Sequence, residues 1–364
     1  MRVLCAPDKF KQACTAAQAA EALALGVSDA GATPITMPLA DGGEGTLNVL
    51  SPVFPSQRRA TVRDALGRDV EAVFALSADG SRALVESAQA CGLWRIDEAD
   101  RNPLKTHTYG VGQLMLAALD TGARELLVSL GGSATSDGGL GMLVALGAKA
   151  TNLKGEAADH TGAALFTLDK LDLGGLDKRL QGVKLTALCD VQTRLLGPEG
   201  SSRKFLVQKG GTTRAIDTLE AGLEMLTSVA GGDPYAPGSG AAGGLGYALA
   251  LIGAELRPGA AAILEALHFD EVLKGVDLVL TGEGTYDVQT ADGKLIAALA
   301  ARCKSAGKPL VVLAGVAKTG FEIEGVTAKF GISPHGQRLQ DCLNETEANL
   351  RHHARDVVRL LSTK

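Results

Sequence analysis

Residues 126–141 read LLVSLGGSATSDGGLG and join the end of a buried strand to a glycine-rich turn. The segment that follows, MLVALGA at 142–148, has a helical pattern. A strand that ends in glycines and small hydroxyls before a helix can hold a phosphate, because glycine lets backbone N–H groups approach an anion. Ser133 and Thr135 add short donors. A tight turn that needs glycine for a positive φ is the alternative, and this stretch alone leaves both open.

The same arrangement of strand, glycine turn and helix, or a near equivalent, occurs four times. The segments are 38–46, 130–141, 238–246 and 280–294. All of them carry small hydroxyls or carboxylates, and four lysines are candidate cationic partners: Lys9, Lys11, Lys209 and Lys294. Phosphoryl transfer needs backbone donors for phosphate oxygens, carboxylates for Mg²⁺ and a cation for developing charge. The pattern therefore predicts an α/β enzyme that acts on anionic ligands.

Several other enzyme classes are disfavoured. The chain has no GxxxxGK[ST], GxSxG or HExxH motif. Gly238, Gly240 and Gly243 have the spacing of a dinucleotide fingerprint, but no convincing strand precedes them and Asp233-Pro234 breaks the approach. A nicotinamide oxidoreductase is thus a weak alternative, although the helix predicted over 245–256 could still direct its N-terminus at an anion.

Composition limits the partners and the compartment. The chain has 364 residues and a net charge of -5, which argues against a non-specific nucleic-acid binder. Its six cysteines include no CxxC and are typical of reduced thiols in a cytosolic protein. The N-terminal apolar run is too short for a signal peptide, and no stretch approaches the roughly 18 apolar residues of a membrane span. We therefore expect a soluble cytoplasmic protein without nucleic-acid or membrane partners.

The local pattern changes near Ala60. Before it, strand–helix units dominate, and Thr15 with Gln18 forms a capping box that starts the first predicted helix. After it, 60–69 and 70–76 alternate like antiparallel strands. This change predicts a domain boundary.

Asp190 is a further candidate site residue because of its position at the end of a predicted strand. Asp190 directly follows the apolar run 184–189, at the carboxyl end of a predicted strand. That placement exposes a carboxylate at the edge of a sheet where ligands bind.

Five motifs together resemble the type 1 glycerate kinase family. They are APDKFK (6–11), PLADGGEGT (38–46), GGSATSDGG (131–139), PGSGAAGGLG (237–246) and TGEGTYDVQTADGK (281–294). The resemblance covers essentially the whole chain. It implies ATP- and Mg²⁺-dependent phosphorylation of D-glycerate to 2-phosphoglycerate and ADP. It also implies an α/β fold of two domains with the active site in the cleft between them.

The two implied domains have distinct origins along the chain. A Rossmann-like parallel-sheet domain is made from both chain ends, 1–59 and 272–364, and a mixed α/β domain over 60–271 is inserted. We expect a monomer or a homodimer.

The motifs, together with the strand-end position of Asp190, suggest roles for individual residues. Asp190 is the expected general base or substrate-orienting carboxylate, and Lys11 and Asp8 form one rim of the cleft. The candidate metal ligands are Glu44, Glu283 and Asp287. The residues expected to bind substrate or phosphate are Asp41, Gly42, Gly43, Gly131, Gly132, Ser133, Ala134, Thr135, Gln208, Lys209, Gly240, Gly282 and Lys294. The loop at 131–135 lacks a lysine and a base of its own, so we expect it to bind while other residues react.

The chain departs from the family pattern in one region. Thr193-Arg194-Leu195 replaces a typical Asn-Pro-Leu, and Leu206-Val207 replaces a Gly-Pro before Gln208 and Lys209. These changes leave two alternatives to a glycerate kinase. One is a catalytically impaired member that acts as a ligand-binding or regulatory module, and the other is a kinase for a related small hydroxy acid.

Overall fold

The structure is a computed structural model that describes residues 1–189, 191–291, 295–334 and 336–362. Its strands in chain order are β1 (Arg2–Cys5), β2 (Thr33–Thr36), β3 (Ser56–Arg63), β4 (Asp69–Leu76), β5 (Arg82–Glu86), β6 (Glu125–Leu130), β7 (Lys149–Asn152), β8 (Leu168–Asp172), β9 (Lys184–Cys189), β10 (Glu255–Pro258), β11 (Leu278–Thr281), β12 (Thr285–Tyr286), β13 (Leu310–Ala314), β14 (Val316–Ala317) and β15 (Ala328–Gly331).

The α-helices follow the same chain order. They are α1 (Ala16–Asp29), α2 (Thr46–Val49), α3 (Ala88–Cys91), α4 (Tyr109–Asp120), α5 (Leu140–Ala145), α6 (Ser201–Phe205), α7 (Thr213–Ala230), α8 (Leu245–Leu251), α9 (Gly259–Ala266), α10 (Phe269–Lys274), α11 (Leu295–Ser305), α12 (Leu339–Asn344) and α13 (Thr346–Leu361). Across the described part of the chain, none of these helices is long and apolar enough to cross a membrane.

The first sheet has five strands in the order β15-β13-β11-β1-β2, and every neighbouring pair is parallel. The central strands β11 and β13 are buried throughout, as expected of strands covered on both faces. The chain leaves β1 towards β2 on one side and returns at β11 on the other. Such a reversal in strand order is a topological switch point, and it lies between β1 and β11.

Helix α1 shows how local sequence builds this region. Thr15 and Gln18 form the predicted capping box at its N-terminus. Gly26 faces the backbone of Arg351 in α13, where a β-carbon would collide with the Arg351 carbonyl. The glycine therefore allows α1 and α13 to pack closely beside the parallel sheet.

The second sheet has six strands in the order β10-β9-β6-β5-β4-β3. The four strands from β10 to β5 are parallel, whereas β5-β4 and β4-β3 are antiparallel. The hairpins predicted after Ala60 thus form one edge of a mixed sheet. Its faces pack into a core that includes Met115, Leu126 and Val128, all fully buried. The predicted α/β fold class is confirmed.

The chain divides into two compact units. Unit 1 contains Met1–Asp41, Asn48–Leu50 and Ala260–Lys364, and unit 2 contains Gly42–Leu47 and Ser51–Gly259. A boundary at 59/60 would cut β3, which pairs with β4 along all eight of its residues. The assignment of domains to 1–59 with 272–364 and to 60–271 stays a prediction.

Candidate active site

In unit 1, two acidic residues follow neighbouring strands at the switch point. Asp8 comes shortly after β1, and Glu283 comes shortly after β11. The two strand ends are joined, since the Ala6 amide donates to the Leu280 carbonyl at 2.8 Å and the Asp8 amide donates to the Gly282 carbonyl at 2.9 Å. Ligands of open α/β sheets bind outside the carboxyl ends of the strands at this kind of position.

A pocket of about 390 Å³ opens beside these strand ends within unit 1. Its polar lining consists mainly of charged groups: Asp8, Lys9, Lys11, Asp41, Glu283 and Asp287. Most of the unit 1 residues singled out in the sequence therefore come together in one cavity. Gly282 permits this arrangement, because a β-carbon there would collide with the Leu313 carbonyl and lie 2.9 Å from the Phe10 ring.

Asp8 is the electrostatic centre of this pocket. The pKa of its carboxyl is raised to about 7, mainly by burial and in addition by the nearby Asp41 and Glu283 carboxylates, against the opposing effect of Lys9. A carboxyl with this pKa can hold or release a proton near neutral pH. A bound cation would favour its ionised form.

Thr290 organises the two candidate metal ligands of unit 1. Its hydroxyl donates to Glu283 Oε1 at 2.7 Å and accepts from the Asp287 amide at 3.0 Å. Asp287 also accepts from Lys318 Nζ at 3.0 Å. Thr290 is almost fully buried, and its role is not evident from the sequence, because a threonine in a polar turn gives no signal that distinguishes it.

A metal ion at this pocket would have few protein ligands. Among the described residues, no group of three His, Cys, Asp or Glu side chains is arranged to hold an ion. Mg²⁺ usually keeps several waters and takes only one or two carboxylates together with phosphate oxygens. The acidic lining, with the pKa of Asp8 raised partly by neighbouring carboxylates, fits such a partial site.

In unit 2, the glycine-rich loop after β6 receives a lysine from a distant segment. Lys209 is only 3% exposed, and its Nζ donates to Ser133 Oγ at 3.2 Å and to the Thr135 carbonyl. The loop therefore has the cation that its own sequence lacks. Spacing along the chain gives no indication of this contact, since it joins residues separated by 76 positions.

The interior of this loop is occupied by the protein itself. Ala134 and Thr135 are buried, and the Ala134 amide donates to the Cys91 carbonyl at 2.8 Å. Asp137 accepts from the Thr108 hydroxyl at 2.7 Å and from the Gly141 amide at 3.1 Å, which makes it a structural residue of the turn into α5. Gly132 is exposed and is accessible to a ligand.

The loop at 42–47 lies against this same edge of unit 2. A β-carbon on Gly132 would stand 3.3 Å from Glu44 Oε2, so the Glu44 side chain lies beside the glycine-rich loop. Glu86, at the end of β5, accepts from the Gly45 amide at 3.2 Å and from the Leu47 amide at 3.0 Å.

Glu86 is a buried residue that sequence reasoning missed. The available signal was its position as a carboxylate at the end of an apolar strand, the same signal that identified Asp190. Its two contacts fix the loop that carries Gly43 and Glu44.

The glycines at 238–246 serve close packing of backbone segments. The Gly240 amide donates to the Thr193 carbonyl at 2.9 Å, and the Gly243 carbonyl accepts from the Gly138 amide at 3.0 Å. Helix α7, and not a strand, is the regular element directly before this segment, in agreement with the rejection of a dinucleotide fingerprint. The role predicted for Gly240 stays a prediction, and its amide already has a protein partner.

The departures from the family pattern divide between core and surface. Leu195 and Leu206 are fully buried and pack in hydrophobic clusters, whereas Val207 is 72% exposed and Gln208 is exposed beside it. Two predicted site residues, Asp190 and Lys294, lie outside the described residues.

Comparisons with known proteins agree on one family. The model of the glycerate kinase family matches residues 3–362. A glycerate kinase of Halalkalibacterium halodurans is 38% identical over 98% of this chain and 97% of its own length. The glycerate 2-kinase of Escherichia coli (strain K12) is 35% identical over 100% of this chain and 98% of its own.

A solved structure gives the same answer. A crystal structure assigned to glycerate kinase 2 of Salmonella typhimurium LT2 matches with a TM-score of 0.83 and 37% identity, covering 100% of this chain and 98% of that one. These matches confirm the resemblance read from the motifs and the kinase class that it implies: the chain belongs to the glycerate kinase family.

Proposed function

We propose that this protein transfers the γ-phosphoryl group of ATP to D-glycerate in a Mg²⁺-dependent reaction, giving 2-phosphoglycerate and ADP. The observation that carries the proposal is the match of the glycerate kinase family model to residues 3–362. The name of the E. coli relative, glycerate 2-kinase, supports the choice of hydroxyl. The chemistry of the unit 1 pocket is consistent with phosphoryl transfer.

In this reaction the glycerate hydroxyl oxygen forms a bond to the γ-phosphorus. The bond from that phosphorus to the bridging oxygen breaks, ADP leaves, and the hydroxyl proton passes to a carboxylate. Asp190 is the proposed acceptor of the proton. Asp8, whose carboxyl has a pKa raised to about 7 by burial, is proposed to orient the reacting hydroxyl.

Lys11 lines the same pocket and is proposed to balance negative charge on the substrate carboxylate or the transferring phosphoryl group. Bound Mg²⁺ supplies further neutralisation of phosphate charge. Glu283 and Asp287 are the proposed metal ligands of unit 1, with Glu44 as the candidate in unit 2.

In unit 2, the proposed role of the loop at 131–135 is to hold phosphate or the glycerate carboxylate. Lys209 supports this role, because its Nζ already contacts Ser133 and the Thr135 carbonyl and so fixes the loop and places positive charge within it. Gly42, Gly43, Gln208, Gly240, Gly282 and Lys294 remain proposed as further substrate or phosphate contacts.

The test is ADP release by the purified full-length chain with a panel of small hydroxy acids, followed by NMR of the phosphorylated product. We expect ADP formation that requires D-glycerate, stops on chelation of divalent metal and returns with added Mg²⁺, with phosphate on the 2-hydroxyl. Phosphate on the 3-hydroxyl would contradict the regiochemistry. Thermal stabilisation by ATP and glycerate without turnover would instead identify a ligand-binding module.

A further inference from the structure

The unit 1 pocket has an apolar side that the proposed chemistry does not use. It is formed by Leu295, Val316, Leu339 and Leu343. Leu339 and Leu343 are one turn apart on α12, so both side chains lie on the same face of that helix. Leu339 is 72% exposed and Val316 is 51% exposed, although both are large hydrophobic residues. We call these four residues the apolar wall.

The wall borders charged groups of the same cavity. Asp8, Lys11 and Glu283 line the pocket together with it. Every carbon of glycerate carries oxygen, so this acid gains little from contact with leucine and valine. A nucleotide combines both characters, because its base has two apolar faces and its phosphate chain is charged.

We propose that the apolar wall binds the base of the nucleotide phosphoryl donor, while Lys11 and the acidic groups of the same pocket face its Mg²⁺-bound phosphates. The inference rests on the proposed function only in taking the donor to be a nucleoside triphosphate. The volume of about 390 Å³ lies within the usual range for small-molecule sites, roughly 300–1,000 Å³. Covering Leu339 and Val316 with a flat ring would remove apolar surface from water, which is the favourable contribution expected here.

The experiment compares Leu339→Ala with Leu360→Ala in the full-length chain. Leu360 is a leucine of α13 that is also 70% exposed, and it does not line the pocket. We expect Leu339→Ala to raise the Kd for Mg·ADP, measured by calorimetry without glycerate, and the KM for ATP by about five- to tenfold. The KM for glycerate should stay within about twofold, and Leu360→Ala should change none of these constants.

A second ligand separates the base from the phosphates. Mg·tripolyphosphate carries the charge but no base, so its inhibition constant should be equal in wild type and Leu339→Ala. An equal weakening of tripolyphosphate and ADP, a selective rise in the KM for glycerate, or no change in ADP binding would each overturn the proposal. Because calorimetry with ADP needs no turnover, a chain that binds ADP on this wall but does not phosphorylate glycerate would contradict the proposed function alone.

Discussion

The two candidate ligand regions lie at the carboxyl edges of two different sheets. They differ in how their charged groups are arranged. In unit 1, the described lining of the pocket contains more carboxyl groups than lysines, and the pKa of Asp8 is raised to about 7 by burial and by its acidic neighbours. In unit 2, Lys209 already donates to Ser133 and Thr135, and Glu86 already accepts from two backbone amides. Unit 2 is thus preorganised by buried pairs, whereas the unit 1 pocket brings several carboxyl groups together around Asp8.

The largest effect is expected from Lys11, one of the two lysines that line the acidic pocket of unit 1. Lys11→Ala should lower kcat for glycerate phosphorylation by about 10³-fold, because charge that develops on the phosphoryl group loses its partner. Steady-state ADP release measures this. The matched control is Lys274→Ala, which removes an exposed lysine of α10 in the same unit and should leave kcat unchanged. Near wild-type turnover in folded Lys11→Ala would show that Lys11 does not take part in the reaction.

The second prediction concerns Asp8 and its unfavourable ionisation. Since folding raises the pKa of this carboxyl from 3.8 to about 7, its contribution to stability is fully present below pH 3.8 and is lost as pH rises through about 7. Asp8→Asn cannot ionise. The free energy of unfolding of wild type relative to Asp8→Asn should therefore fall by up to about 4 kcal/mol between pH 4 and pH 8.

Urea unfolding across this pH range provides the measurement for Asp8. Asp97→Asn removes an exposed carboxylate in unit 2 and serves as the control. If the difference between wild type and Asp8→Asn did not vary with pH, neither burial nor the acidic neighbours would be destabilising the ionised form of Asp8. The ionised carboxyl in the unit 1 pocket would then be no less stable than the paired charged groups of unit 2.

The third prediction tests preorganisation in unit 2. Lys209→Ala leaves Ser133 Oγ and the Thr135 carbonyl without their donor in a buried position, so we expect a loss of about 1–3 kcal/mol in the free energy of unfolding. The control Lys204→Ala removes an exposed lysine of α6 in the same segment and should change stability by no more than about 0.5 kcal/mol. Equal stability of both variants would mean that the buried lysine does not fix the loop.

The same contrast explains what the sequence could predict. Local signals were reliable: the apolar run 184–189 is strand β9, and Thr15 with Gln18 caps α1. The helix predicted over 245–256 is wrong in its second half, because α8 ends at Leu251 and the chain turns at Gly253, with φ near +91°, into β10.

Contacts between distant segments could not be predicted in the same way. The carboxyl-end rule pointed to residues beside β1 and β11, where Asp8 and Glu283 line one pocket. The contact of Lys209 with Ser133 depends on tertiary packing, and no periodicity or spacing in the sequence records it. The motifs therefore indicate which segments form the candidate site, whereas the pairing of side chains within them follows only from the fold.

The smallest predicted effect concerns Thr290 and tests whether part of the unit 1 pocket is preorganised. The buried hydroxyl of Thr290 joins Glu283 Oε1 to the Asp287 amide, and this pair of hydrogen bonds gives the acidic pocket one fixed contact. Thr290→Val keeps the shape but removes both hydrogen bonds, so we expect a loss of about 1–2 kcal/mol in stability and a rise of a few fold in the Mg²⁺ concentration needed for half-maximal activity. Thermal unfolding and a Mg²⁺ titration of ADP release measure the two effects.

The hydroxyl-preserving variant makes this last test specific. Thr290→Ser retains the donor and acceptor and should stay close to wild type in its Mg²⁺ requirement, whatever small stability it loses with the methyl group. If Ser raised the Mg²⁺ requirement and Val did not, the methyl group and not the hydrogen bonds would position Glu283. If neither variant changed it, the acidic groups of unit 1 would need no fixed geometry to bind the metal, and the contrast with the tightly paired loop of unit 2 would be sharper still.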